Sequence, residues 1–136
     1  MGLDNGFYVK SNKRPITRDV LPKNLQYPFE KDYAEDKVEI VYWRKNWGLR
    51  NAVLNLLGER LSEDTYFDID TPATVIEIIG IIGSFLDSEK WASEGNSIWD
   101  AAEVRPWLIR DIINLAIIYA FMLENPDVYL EFYDSY

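Results

Sequence analysis

The chain has 136 residues, a net charge of −9, and neither cysteine nor histidine. Thiolate chemistry, imidazole metal sites and histidine-based acid–base catalysis are therefore excluded, and an acidic chain repels phosphate backbones, which disfavours direct nucleic-acid binding. Apolar residues at 48% and aromatics at 15% suffice for a real core, so one ordered domain over residues 1–136 is expected.

In chain order, Leu3, Phe7 and Val9 with Tyr8 between them predict a short strand within Leu3 to Lys10, starting after an Asp4-Asn5-Gly6 turn. Residues 11–36 carry Pro15, Pro22 and Pro28 and no periodicity. They read as a long loop, pinned to the body by Leu21, Leu25, Tyr27 and Phe29. Asp32, Glu35, Asp36 and Glu39 read as a solvated acidic run. Val38, Ile40 and Tyr42 alternate with Glu39, Val41 and Trp43, which predicts a strand with one wet face. Asn46 can cap the helix that follows, whose apolar stripe is Leu49, Ala52, Val53, Leu56 and Leu57. Gly58 ends it in a left-handed conformation.

Thr65 to Ile69 predicts a short strand, and Thr71-Pro72 opens a largely buried helix reaching Leu86. Gly80 and Gly83 within it suggest close approach of another element. A polar connection from Asp87 to Gly95 holds Trp91. Ser97 and Asp100 then resemble a capping box before a short helix, Ile98 to Val104. Pro106 begins or kinks a further helix to Glu124, with Trp107, Leu108, Ile112, Leu115, Ile118, Tyr119 and Met122 facing inward. Asn125-Pro126 stops it, and Val128 to Tyr133 alternates as a last strand. The sum is an α+β fold: a small, mostly antiparallel sheet of about four strands packed with three or four helices.

Met1 to Lys10 has no apolar run of the kind a secretory leader needs, and Gly6 stands where a myristoylation motif wants Ser or Thr. The most apolar run, Ile112 to Leu123, is shorter than the ~20 residues of a membrane span. A cytoplasmic protein without membrane association is expected.

The strand–helix joint concentrates Trp43, Arg44, Lys45, Trp47 and Arg50. Indole faces with guanidiniums can hold an anion, a base or a carboxylate-bearing partner. Alternatively, the indoles pack the corner while Arg44 and Lys45 lie over them, stems covered and heads wet. Charge is asymmetric: residues 1–60 hold 11 basic and 8 acidic side chains, residues 61–136 hold 3 and 15. An acidic lobe attracts a basic protein partner, although solubility alone also favours acidity. Asp64, Asp68 and Asp70 flank one strand, with Asp68 and Asp70 on one face. Paired carboxylates can bind magnesium, but two aspartates there are more simply solvent-facing. No cofactor or metal is expected. Tyr129, Tyr133 and Tyr136 either form an edge for a partner strand or cover the core.

MGLD at residues 1–4 running into Phe7 and Tyr8, with Tyr42-Trp43-Arg44-Lys45 some forty residues later, resembles a family of small phage- and prophage-encoded proteins of unknown function. The matched positions are Gly2, Leu3, Asp4, Tyr42, Trp43, Arg44 and Lys45, within the first 60 residues. The C-terminal half departs from the family, whose members end with an aromatic strand and then a helix. The resemblance implies a phage or prophage origin and a bacterial host, and Asp4 and Arg44 could pair between neighbouring strands.

Together these features favour a non-enzymatic interaction protein or inhibitor of a basic host or defence protein, comparable to anti-CRISPR or immunity proteins. Its contact residues would be Asp4, Trp43, Arg44, Lys45, Trp47, Arg50, Asp64, Asp68 and Asp70. Self-association is compatible with this. The alternative is a small enzyme or nucleotide-binding protein centred on Asp4, Arg44 and Arg50. A concave pocket joining Asp4 to the joint would favour the latter, and a convex acidic face with no pocket the former.

Overall fold

The computed structural model describes residues 4–58, 65–88 and 101–135. Four strands, β1 (Asp4–Ser11), β2 (Val38–Arg44), β3 (Thr65–Ile69) and β4 (Val128–Ser135), form one antiparallel sheet in the order β2-β1-β4-β3. Three helices accompany it: α1 (Trp47–Leu57), α2 (Pro72–Ser88) and α3 (Ala101–Glu124). This is the expected α+β fold. The two terminal strands lie side by side at the centre, pairing from Asp4↔Ser135 to Ser11↔Val128.

The helices cover one face of the sheet. On that face Phe7 meets Phe132 at 4.9 Å and Trp43 edge-on at 5.7 Å, with Val9, Val41 and Leu130 fully buried beside them. The opposite face carries Tyr8, Glu39, Tyr42, Glu131 and Tyr133. There Lys10 and Lys37 both bridge to Glu131, at 3.0 and 3.3 Å.

Alternation along β2 is broken. Phe7 faces Val41 and Tyr8 faces Glu39, so Ile40 has no cross-strand partner and forms a bulge. The bulge moves Glu39 off the side of Val41 and Trp43 and onto the tyrosine face. There it is buried rather than solvated, which corrects the reading of the acidic run at this one residue; Asp32, Glu35 and Asp36 are exposed as expected. Burial pushes the Glu39 carboxyl up to about 7, tempered by the Tyr133 hydroxyl. Gly6 lies beneath this pair: a Cβ there would stand 2.7 Å from Tyr133 Cε1 and 2.5 Å from Glu39 Oε2. Glycine is needed here for space.

The loop between β1 and β2 is anchored to the body. Ile16, Leu21 and Leu25 are buried, the Ile16 N–H donates to the Asp36 carbonyl at 3.0 Å, and Arg18 ties Phe29 and Asp32 together. Arg18 also lies 4.0 Å from the centre of the Tyr27 ring.

Helix α1 has the ends its sequence specifies. Asn46 Oδ1 accepts from the Leu49 N–H at 3.2 Å, and Gly58 is left-handed at φ 79°. Two helical expectations are corrected. Pro106 does not begin a second helix after one ending at Val104, because α3 runs through it from Ala101. Its ring removes a single backbone bond, to residue 102, and that loss lies on an exposed part near the helix start. The residues before Ala101, including Trp91 and the Ser97–Asp100 box, lie outside the described residues. Gly80 and Gly83 make no close approach among the described residues: a Cβ at either would meet nothing within 4 Å.

The buried set of α3 is Val104, Leu108, Asp111, Leu115, Ile118 and Met122, spaced four and three apart, together with Asn114. This phase leaves Trp107 substantially exposed and brings two polar side chains inside. Asn114 donates to the Gln26 and Ile40 carbonyls at 2.7 and 2.9 Å and accepts from the Gln26 N–H at 3.1 Å. It thereby fastens α3 to both the bulge and the loop. By length and composition Val104–Glu124 could cross a membrane. Its inward Asp111 and Asn114 are bonded to sheet and loop, and 33% of the span is buried.

Candidate functional site

The sheet turns into α1 through Lys45, which is left-handed at φ 55° without being glycine. That turn separates the joint residues. Trp43 faces the core, and its indole N–H donates to Asp111 Oδ2 at 2.9 Å. Arg44 is exposed and makes no ion pair among the described residues, and Lys45 is half-buried. Trp47 is partly exposed, with the Arg50 guanidinium 5.4 Å from its ring.

Arg50 points inward. Its Nε and Nη2 donate to Asp134 Oδ1 and Oδ2, each at 2.8 Å, and Asn5 adds a third bond to Oδ1 at 2.6 Å. The two-bond fork joins α1 to β4 inside the protein. Asp4 stands opposite Arg44 in the β1–β2 register, but it accepts from the Tyr42 hydroxyl at 2.7 Å and forms no ion pair with Arg44.

The acidic residues do not converge on the joint. Asp64 lies outside the described residues. Asp68 is exposed on β3 opposite Glu131. Asp70 is exposed beyond the end of β3, so it does not continue the strand face, and it accepts from the Thr71 hydroxyl at 3.4 Å. Among the described residues no three acidic side chains gather as a metal ion would require.

A cleft of about 490 Å³ opens beside the joint. Pro28 and Phe29 from the loop form one wall; Tyr42, Trp43, Arg44 and Asn46 form the second; the first turns of α3, with Trp107, Arg110 and Asp111, form the third. Its surfaces are aromatic, and guanidiniums stand on two sides. Phe29 and Tyr42 pack edge to face at 5.0 Å.

Asp111 is 1% exposed, and its Oδ1 accepts no hydrogen bond. Arg110 Nη2 lies 3.6 Å from that oxygen, too far for a bond, and Arg110 Nε is buried without an acceptor. Burial pushes the Asp111 carboxyl up to about 7 against the opposing pull of the Trp43 indole and Arg110. A buried carboxylate beside a part-exposed guanidinium, each with an idle buried atom next to an opening, differs from ordinary core chemistry, in which buried polar groups are satisfied.

Of the residues expected at a site, the cleft gathers Trp43 and Arg44. Trp47, Arg50, Asp4, Asp68 and Asp70 do not line it, and Lys45 is the turn at its end. Arg110, Asp111, Trp107 and Phe29 were not singled out as site residues. Asp111 beside Arg110 at the head of an apolar helical run was the available signal. Comparison with family models, curated proteins and solved structures returns no match.

Proposed function

We propose that the chain is a non-enzymatic interaction protein of phage or prophage type, which holds a protein partner through the cleft at the β2–α1 joint. The observation that carries this reading is the opening itself, with aromatic walls and at its rim the Arg44 guanidinium, which has no ion-pair partner among the described residues. Such a groove suits an apolar or aromatic side chain of a partner as an anchor, with a neighbouring carboxylate or backbone carbonyl meeting Arg44. The net charge of −9 acts at longer range and speeds encounter with a basic host or defence protein. The acidic surface thus selects the class of partner, and the cleft fixes it.

The test is capture from a bacterial lysate with the wild type and with an Arg44→Ala/Trp107→Ala double variant, at low and moderate salt. A basic protein retained by the wild type, weakened by salt and lost by the variant is expected. Equal retention by the double variant would move the site to the acidic surface.

A second reading, a small-ligand or nucleotide-binding protein, draws on the concavity of the cleft and on Asp111 at its floor. Asp4 and Arg50 no longer belong to it, being committed to Tyr42 and Asp134. Equilibrium dialysis against labelled nucleotides distinguishes the two: saturable uptake abolished by Arg44→Ala would favour the second.

A further inference from the structure

The cleft beside the joint ends on two idle atoms of opposite kind. Asp111 Oδ2 takes the Trp43 indole N–H, which leaves Oδ1 as an acceptor without a donor. Arg110 Nε is a donor without an acceptor. The same guanidinium comes to 3.6 Å from Oδ1 through Nη2, so the two idle atoms lie close enough for one shared atom to serve both. A buried polar group left unmatched is costly, and both residues of this pair line an opening of about 490 Å³. That volume falls within the roughly 300–1,000 Å³ of ordinary ligand pockets.

We propose that the cleft takes a tyrosine side chain of the protein partner, with the ring between the aromatic walls and the hydroxyl on the Arg110–Asp111 pair. This rests on the cleft being the partner-binding surface. Three features select a phenol. Phe29, Tyr42 and Trp107 give each of the three walls an aromatic ring, a lining suited to a flat apolar body with a polar tip. The floor asks for a donor and an acceptor at one place, and a hydroxyl is both: it accepts from Arg110 Nε and donates to Asp111 Oδ1. Phenylalanine satisfies neither atom, and the indole of tryptophan, a donor only, leaves Nε idle. Charge excludes the ionised side chains. A carboxylate on the floor would meet Asp111, and an ammonium or guanidinium would stand beside Arg44 and Arg110. Both idle atoms are covered before the partner arrives. Arg110, part-exposed and without a hydrogen bond among the described residues, is the side chain that shifts to admit the hydroxyl.

The probes are N-acetyl-tyrosinamide, its O-methyl ether and N-acetyl-phenylalaninamide. They carry donor and acceptor, acceptor alone, and neither. Each is titrated into the full chain above pH 7, where the Asp111 carboxyl is ionised, and followed by the Trp43 indole N–H signal. The tyrosine amide should bind with a Kd of about 1 mM, and the ether and the phenylalanine amide about tenfold more weakly. Asp111→Asn should erase the tyrosine preference, because its amide oxygen takes the indole N–H and its NH2 then faces the phenol proton. Equal binding of the tyrosine and phenylalanine amides to the wild type would overturn the phenol and leave the cleft as a binding place. A tyrosine preference that persists in folded Asp111→Asn would overturn the seat of the hydroxyl. Tighter binding of the O-phosphorylated tyrosine amide would overturn the proposal and assign the guanidiniums to an anion. Binding of none of the probes would overturn it too, and the lysate capture then judges the cleft separately: a partner lost by Arg44→Ala/Trp107→Ala keeps the cleft as the surface, and one retained removes it.

Discussion

Two arginine–aspartate pairs touch the β2–α1 joint, one buried on both sides and one with its arginine part-exposed, and they are built differently. Arg50 and Asp134 close a two-bond fork at 2.8 Å, with Asn5 as a further donor. Arg110 and Asp111 stand 3.6 Å apart, and each keeps a buried atom without a partner. The first pair ties α1 to β4 in the interior. The second borders the cleft, one residue facing the Trp43 indole. A closed pair fixes the fold, whereas an open one leaves hydrogen-bonding capacity and a carboxyl of raised pKa where a partner can arrive. That difference, more than the abundance of charge at the joint, separates scaffold from site.

Breaking the closed pair should have the largest effect. Arg50→Ala leaves the Asp134 charge buried without its cation, held by Asn5, and a loss of about 3–5 kcal/mol is expected in urea unfolding. A loss below about 1 kcal/mol would dissolve the contrast with the open pair.

The open pair shows itself through pH. Asp111 and Glu39 both titrate near 7 when folded, above their ordinary values of 3.8 and 4.5. The folded state therefore holds protons that the unfolded chain has released. The stabilising effect is complete below about pH 4 and is lost as pH rises through 7. Asp111→Asn should remove a part of that decline on the order of 3 kcal/mol, read as unfolding midpoints from pH 4 to pH 8. Glu39→Gln should remove a further part.

Trp43→Phe keeps the edge-on contact with Phe7 but deletes the donor to Asp111. A loss of about 2 kcal/mol is expected, together with a still higher Asp111 pKa. Arg44→Ala should change stability by less than about 0.5 kcal/mol while abolishing capture of the partner. Large destabilisation by Arg44→Ala would make the rim guanidinium structural.

The sequence carried most of the elements because each was marked locally. Asn46 and Gly58 announce the ends of α1, Pro72 opens α2, and the residues of β3 and β4 alternate or are β-branched and aromatic. The bulge at Ile40 left no mark. It coincides with a tertiary contact, the bond from Asn114 to the Ile40 carbonyl 74 residues away. With the bulge went the side to which Glu39 belongs. Pro106 misled because proline usually breaks a helix, and here the lost bond lies near an exposed helix start. The joint was visible as a cluster of Trp and Arg, but which members point inward was decided by the left-handed turn at Lys45 and by Asp134 near the chain's far end. The cleft was not visible, because its walls come from three segments centred near residues 29, 43 and 108. Asp111 looked like the polar lead-in to an apolar helix rather than its most deeply placed charge.

The most direct measurement is the pH titration of the Trp43 indole N–H by ¹H–¹⁵N correlation spectroscopy. The signal is assigned among the five tryptophans by its absence in Trp43→Phe. A single transition with a midpoint near 7, abolished in Asp111→Asn, is the expected result. A midpoint near the ordinary 3.8, or no transition between pH 4 and pH 9, would mean that the Asp111–Arg110 pair is as closed as Arg50–Asp134 and that the cleft has no open carboxyl at its floor.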